Sequence, residues 1–228
     1  MVTAPMLTFR ALSALLSYPT PEIRAAAGEA EHILRSEGIL AGSHLEKVSE
    51  FIAALQASPQ LEAESSYIDA FDRGRSTSLH LFEHIHGESR DRGQAMIRLL
   101  GRYRAHGLEP QSGELPDFLP LFLEFLSTCR REQAIKYLSE VGDIIAGIGH
   151  RLRKRSASHA PVLEAIASLV LQDHDVLAAS LNERERDDSP AALDIAWEEA
   201  PVTFNDLVLS DAEHLGAERA TQPNRKIR

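Results

Sequence analysis

The sequence predicts an all-α protein, and three observations carry that prediction. Apolar residues recur at three- and four-residue spacing from Leu7 to Leu171, the period of helices with one buried face. Helix punctuation recurs with them: Thr20-Pro21 and Ser58-Pro59 read as starts, Gly38 and Gly107 as stops. Strand-like alternation never lasts more than a few residues, and no repeat of fixed period is present. The expected architecture is a single helical-bundle domain over 1–172, of about eight to ten helices, and an acidic, partly disordered C-terminal extension over 173–228.

Each element follows from its own residues. Leu7, Ala11, Leu12, Leu15 and Leu16 make the first helix, ended by Pro19. The second runs from Pro21 to Glu37 and stops at Gly38. Leu45, Val48, Phe51, Ile52 and Leu55 mark a third, and Leu61, Tyr67, Ile68 and Phe71 a fourth. After a polar link, 74–78, a short helical segment spans Leu79–His86 and closes at Gly87. Met96, Ile97, Leu99, Leu100 and Tyr103 place a helix over Arg90–Ala105. Pro116 opens a markedly apolar helix, Phe118–Leu126. One long helix is then expected, with Ala134, Leu138, Val141, Ile144, Ile145 and Ile148 inward, and a short one over Pro161–Leu171. Residues 182–190, NERERDDSP, read as a linker, and Trp197 and Phe204 are the only aromatics of 172–228.

Composition narrows the function classes. A chain of 228 residues with 43% hydrophobic and 25% charged side chains can bury about 70% of its unfolded surface without a metal or disulfide staple. The single cysteine, Cys129, excludes an intramolecular disulfide framework and fits a reducing compartment. Apolar runs fall short of the roughly 18 residues of a membrane span, and Arg10 and Ser13 interrupt what would be a signal core, so a cytoplasmic protein is expected, without membrane insertion. Net charge is −10, but unevenly spread: +3 over 71–105, +4 over 129–160, −11 over 161–215. Short basic stretches on an acidic chain argue against nucleic acid and for a cationic partner. Arg151, Arg153, Lys154 and Arg155 read as a helix end where cations suit the dipole.

Catalytic signatures are sparse: the chain has no phosphate-cradling glycine loop, GxSxG elbow or HExxH. One constellation stands out, His80, His84 and His86 in HLFEHIHGE. On a helix His80 and His84 share a face one turn apart, and Glu83 or Glu88 could complete a metal set, which makes a His-ligated metal-dependent hydrolase the alternative reading. The second is GELPDFLPLFLEF, 113–125, read either as a core helix or as the edge of an apolar groove with Glu114, Asp117 and Glu124 at its rim.

These segments carry a resemblance. YIDAFD at 67–72, SLHLFEHIHGESRDRGQAM at 78–96 and GELPDFLPLFLEF resemble the NarJ-type molybdenum cofactor assembly chaperones, the nitrate reductase delta subunits. LLSYPTP at 15–21 and WEEAPVTF at 197–204 are similar to the same family. The resemblance implies a TorD-like all-helical fold and a dedicated, non-catalytic chaperone with no permanently bound cofactor. Its implied partner is the catalytic (alpha) subunit of nitrate reductase, as an apo alpha–beta complex, gripped at an N-terminal twin-arginine-like segment. That client receives molybdenum–bis-guanine dinucleotide and iron–sulfur clusters before it docks to the membrane. The wider group's aromatic pair is matched by Tyr67 and Phe71; Asp117 matches its aspartate, and Phe118 stands where its histidine would be.

A cationic segment that folds into an amphipathic helix needs an apolar surface with carboxylates beside it. The expected apolar contacts are Tyr67, Phe71, Leu115, Leu119, Leu123 and Phe125, with Asp72, Glu114, Asp117 and Glu124 pairing with cations. His84, His86, Arg90 and Arg92 would form a polar patch for the same peptide or for the client's anionic cofactor site.

Overall fold

The computed structural model describes residues 6–86, 90–110 and 113–171, with the side chain of His86 excluded. Among them are ten α-helices: α1 Leu7–Leu15, α2 Pro21–Glu37, α3 Gly42–Ala57, α4 Gln60–Phe71, α5 Glu83–His86, α6 Arg90–Ala105, α7 Leu119–Thr128, α8 Arg131–Ser139, α9 Gly142–Lys154 and α10 Ala160–Ser168. A 3₁₀ turn, Arg75–Thr77, follows α4. The all-α class and the number of helices agree with the expectation. The expected linker, the aromatics at 197 and 204 and the extension over 173–228 lie outside the described residues.

α1 sits between α2 and α7, α2 packs on α3, and α10 lies against α9 and α3. α10 is covered almost all round, with Val162, Leu163, Ala165, Ile166 and Ala167 wholly buried. The approach of α9 to α10 is close: a Cβ at Gly149 would stand 3.2 Å from Leu163 Cβ. The start of α1 is capped from a distance. Glu37, the last residue of α2, accepts the backbone N–H groups of Leu7 and Thr8 at 2.8 Å each and the Thr8 hydroxyl at 2.7 Å.

Punctuation worked where it was local. α2 begins after Thr20, whose hydroxyl accepts the Ile23 N–H, and ends at Gly38 with φ 59°, a left-handed residue that suits glycine. Three expected helices differ. The long helix over 134–148 is two, because Val141 leaves helical backbone (φ −125°, ψ 4°) and α9 restarts at Gly142. A Cβ on that glycine would meet Val170 Cγ2 at 2.9 Å, so the residues that follow α10 occupy the side-chain space there. The helix opened by Pro116 starts instead at Leu119, with Pro120 in its first turn. Leu79–His86 is helical only from Glu83. Before that, His80 and Phe118 form an isolated antiparallel bridge, with Leu81 N–H donating to the Asp117 carbonyl at 3.0 Å and Leu119 N–H to the Leu79 carbonyl at 2.9 Å.

Candidate functional site

The aromatic pair of α4 is the root of the site. Tyr67 and Phe71, one turn apart, stack edge-to-face at 5.0 Å, and both are buried. Tyr67 donates to the Leu16 carbonyl at 3.2 Å, which ties α4 to the end of α1, and burial, with the charges of Asp72 and Glu114, pushes its hydroxyl pKa upward. Beneath the pair His159 contacts Phe51, Tyr67 and Phe71 at ring distances of 4.9, 5.7 and 5.1 Å. Burial lowers the His159 pKa to about 4, so the imidazole is neutral near pH 7 and packs as an aromatic.

Above the pair the surface turns apolar and acidic. Tyr18, 41% exposed, lies edge-on to Tyr67 at 5.5 Å. Burial, then the charges of Glu64 and Asp72, hold the Tyr18 hydroxyl above its ordinary range. Leu61, Glu64, Ile68 and Asp72 follow one another at three- and four-residue spacing along one open edge of α4. Ile68 and Leu115 are exposed at 39% and 41%, and Glu114 is exposed beside Leu115. Burial raises the Asp72 pKa, and the nearby His80 partly opposes that. Tyr18, Ile68 and Leu115 with Glu64, Asp72 and Glu114 therefore give a patch of greasy side chains among carboxylates. Tyr18, Glu64 and Ile68 were not among the site residues read from the sequence. The i, i+4 spacing of Glu64, Ile68 and Asp72 was the available signal.

Asp117 is elsewhere in the structure than a helix-start rim. Its side chain is 0% exposed, at the junction of the bridge, α5 and α6. Oδ2 accepts the Phe82 N–H at 3.1 Å and faces Arg92 Nη2 at 3.5 Å, while Oδ1 lies 3.4 Å from His80 Nδ1. Arg92 also pairs with Glu83 at 3.1 Å. Burial acts to raise the Asp117 pKa. The His80 contact, the Phe82 N–H and the charges of His80 and Arg92 outweigh it and hold the carboxyl below its usual range. The same contact lifts His80, against the opposing pull of burial. Thus Asp117 and Arg92, expected to face a client, are turned toward each other. Leu119, Leu123 and Phe125 are core residues, and Phe125 meets Tyr103 of α6 at 4.7 Å.

Glu124 stays exposed on a different surface, a cleft of about 490 Å³ that it lines with Phe125, Leu121, Tyr103, Leu108 and Arg10. Arg90 is exposed at the start of α6, and the side chain of His86 is outside the described residues. His84 Nε2 donates to the Ser78 carbonyl at 2.9 Å.

The shared helical face expected of His80 and His84 is not formed: His80 lies in the bridge, three residues before the helix begins. Among the described residues, no group of three His, Cys, Asp or Glu side chains could hold a metal ion. Glu88 and the side chain of His86, both named as candidate ligands, lie outside them.

Among the described residues the architecture is an all-helical domain with an acid-edged aromatic surface on α4. Residues 40–165 match the family model described as "Nitrate reductase delta subunit". The chain belongs to that family. It is similar to the nitrate reductase molybdenum cofactor assembly chaperone NarJ of Escherichia coli (strain K12), 39% identical over 195 residues, 85% of this chain and 83% of that one. It is also similar to the probable assembly chaperone NarW of the same strain, 37% identical over 201 residues, 87% of this chain and 84% of that one. The probable NarJ of Bacillus subtilis (strain 168) is 34% identical over 169 residues, 72% of this chain and 88% of that one.

Proposed function

We propose that this chain is a cytoplasmic assembly chaperone for a nitrate reductase, a binding protein and not an enzyme. It holds a cationic, partly apolar N-terminal segment of the catalytic subunit against the α4 patch while that client receives its molybdenum cofactor and iron–sulfur clusters. Family membership and the names of its relatives support the system; the carrying structural observation is the exposed set Tyr18, Ile68 and Leu115 among Glu64, Asp72 and Glu114.

The physics of the patch suits such a client. Apolar side chains of a folding segment gain by leaving water over Tyr18, Ile68 and Leu115, about 25 cal/mol for each Å² buried. Carboxylates at the edge steer and pair with arginines, and long-range steering weakens with salt. Tyr67 and Phe71, with Leu119 and Leu123 deeper in the domain, form a packed bed, so little ordering is needed when the segment docks. No helix among the described residues is long and apolar enough to cross a membrane.

Calorimetric titration with a synthetic peptide copying the N-terminus of the cognate catalytic subunit tests the proposal. Asp72→Lys combined with Glu114→Lys should weaken binding at least about tenfold, because two charge-assisted contacts become repulsions. Both residues are exposed, so the melting temperature should hold. Unchanged affinity would remove the acidic edge from the mechanism.

A further inference from the structure

α6 presents an open face that the packing of the domain does not use. Its buried residues are Ala95, Leu99 and Tyr103, at four-residue spacing, and the opposite side carries Arg90, Gln94, Ile97, Arg98 and Gly101, all exposed. Ile97 is 64% exposed at the middle of that side. The open edge of α4 is its counterpart in charge: Leu61, 77% exposed, then Glu64, Ile68 and Asp72. We propose that the α6 face of one copy of this chain docks, antiparallel, on the α4 edge of a second copy.

The arginines of α6 divide into engaged and open ones. Arg92 turns inward to Glu83 and Asp117, Arg102 pairs with Glu140 at 2.7 Å and lies over the Tyr137 ring, and Arg104 reaches Glu109 at 3.5 Å. Arg90 and Arg98 are exposed and have no ion pair among the described residues. They stand eight residues apart, about 12 Å along a helix axis. Glu64 and Asp72 on α4 have the same eight-residue separation, so two carboxylates can face two guanidinium groups at matching spacing.

Direction follows from the apolar residues. Laid antiparallel with Asp72 on Arg90, α4 brings Glu64 to Arg98, Ile68 to Gln94 and Ile97, and Leu61 to Gly101. A Cβ at Gly101 would find nothing within 4 Å, so the projecting leucine meets bare backbone and the two helices can approach. Laid parallel, with Glu64 on Arg90, Leu61 would fall before the start of α6 and have no seat. Glu64 already accepts from the Gln60 amide at 2.7 Å, so one facing carboxylate is ordered before contact and keeps further acceptor sites.

A contact of one helix on one helix falls below the roughly 1,200 Å² of stable interfaces, and ion pairs at exposed positions add little to it. The association is therefore weak, reversible and sensitive to salt. It covers the α4 edge with the chemistry that this edge is proposed to receive from a client, arginines around an apolar residue. The contact rests on the two helices alone and not on the client reading.

Sedimentation equilibrium of the full chain, from micromolar to near-millimolar concentration and without client, decides the matter. Reversible self-association that weakens as salt rises is expected. Arg98→Glu and Glu64→Arg should each weaken it at least about tenfold, because a pairing becomes a repulsion. An equimolar mixture of the two variants should associate again, since each sets unlike charge against the other, and a chain carrying both substitutions should associate with itself. Arg98 is exposed, so Arg98→Glu should keep its melting temperature, which separates loss of the contact from loss of the fold. Register is read by cross-linking. A Leu61→Cys chain mixed with a Gly101→Cys chain should give a disulfide-linked heterodimer under mild oxidation, the native Cys129 being buried, whereas Leu61→Cys with Arg35→Cys should not. A monomer at every concentration, or association indifferent to both charge reversals, would overturn the proposal. Client peptide takes no part in these measurements, so their failure and failure of the client reading are separate results.

Discussion

A carboxylate without solvent contact needs partners, and Asp117 takes three from two segments: His80 and the Phe82 amide before α5, and Arg92 in α6. Its neutralisation should therefore be costly. We predict that Asp117→Asn lowers stability by about 2 kcal/mol at pH 7, since Arg92 keeps Glu83 but loses its buried carboxylate, and His80 loses the charge it faces. Urea denaturation measures it. The pH dependence has a definite sign. Asp117 has a depressed pKa, so its stabilisation is present above the ordinary carboxyl value of 3.8 and fades as pH falls through the lower folded value. His80 has a raised pKa, so its share is full below 6.5 and is lost as pH rises through the higher folded value. The difference between wild type and Asp117→Asn should shrink on acidification past the carboxyl range. A gap that persists there would mean that packing, not charge, sets the effect. The sequence made Asp117 visible as a helix-start acid, but its partners lie 25 to 37 residues away, and no local pattern joins them.

Helices were legible where their signals were local and illegible where packing imposed them. α2 carries its own start at Thr20-Pro21 and its own stop at Gly38. The division between α8 and α9 does not, because Leu138, Val141, Ile145 and Ile148 keep the helical period straight across it. The space claimed by Val170 near Gly142 is a fact of the tertiary fold. Two glycines separate these influences. Gly149 faces Leu163, whereas Gly101, inside the exposed side of α6, has nothing within 4 Å of where its Cβ would be. Gly101→Ala should stabilise by about 1 kcal/mol through helix propensity, raising the melting temperature by roughly 3 °C. Gly149→Ala should destabilise, since α9 and α10 must move apart by a few tenths of an ångström and the propensity gain does not cover the lost packing. Equal shifts for the two would show that the α9–α10 approach is softer than its distances imply. The proposed client patch shows the same divide: spacing marks Tyr67 and Phe71 as apolar positions of one helix and the family resemblance makes them a site, whereas Tyr18 joins them only through the fold.

At the scale of the molecule, α4 carries two different surfaces, an acidic greasy edge and, on another flank, a polar cleft lined by Ser66, Asp69, Arg73 and Arg155. The all-α class and the composition that supports it were legible throughout. The partition of charge was not, because 129–160 is basic in sequence yet meets α4 only after folding.

The placement of α1 bears on how the chain is made. Its first amides wait for Glu37, Met6 N–H bonds to the Ser127 carbonyl at 3.0 Å, and Ser13 donates to the Pro120 carbonyl at 2.7 Å. α2 can cover α1 early in synthesis, but the contacts of α1 with α7 form only once α7 has followed, and until then part of the buried stripe of Phe9, Leu12 and Leu16 stands open to water. Stalled nascent chains should show α1 cut by protease until the codons for α7 and α10 have been read, and protected afterwards. Protection with only α1–α3 emerged would mean that the early hairpin holds by itself. A molecule proposed to hold an exposed segment of another protein thus passes through a stage of its own synthesis in which α1 is only half covered.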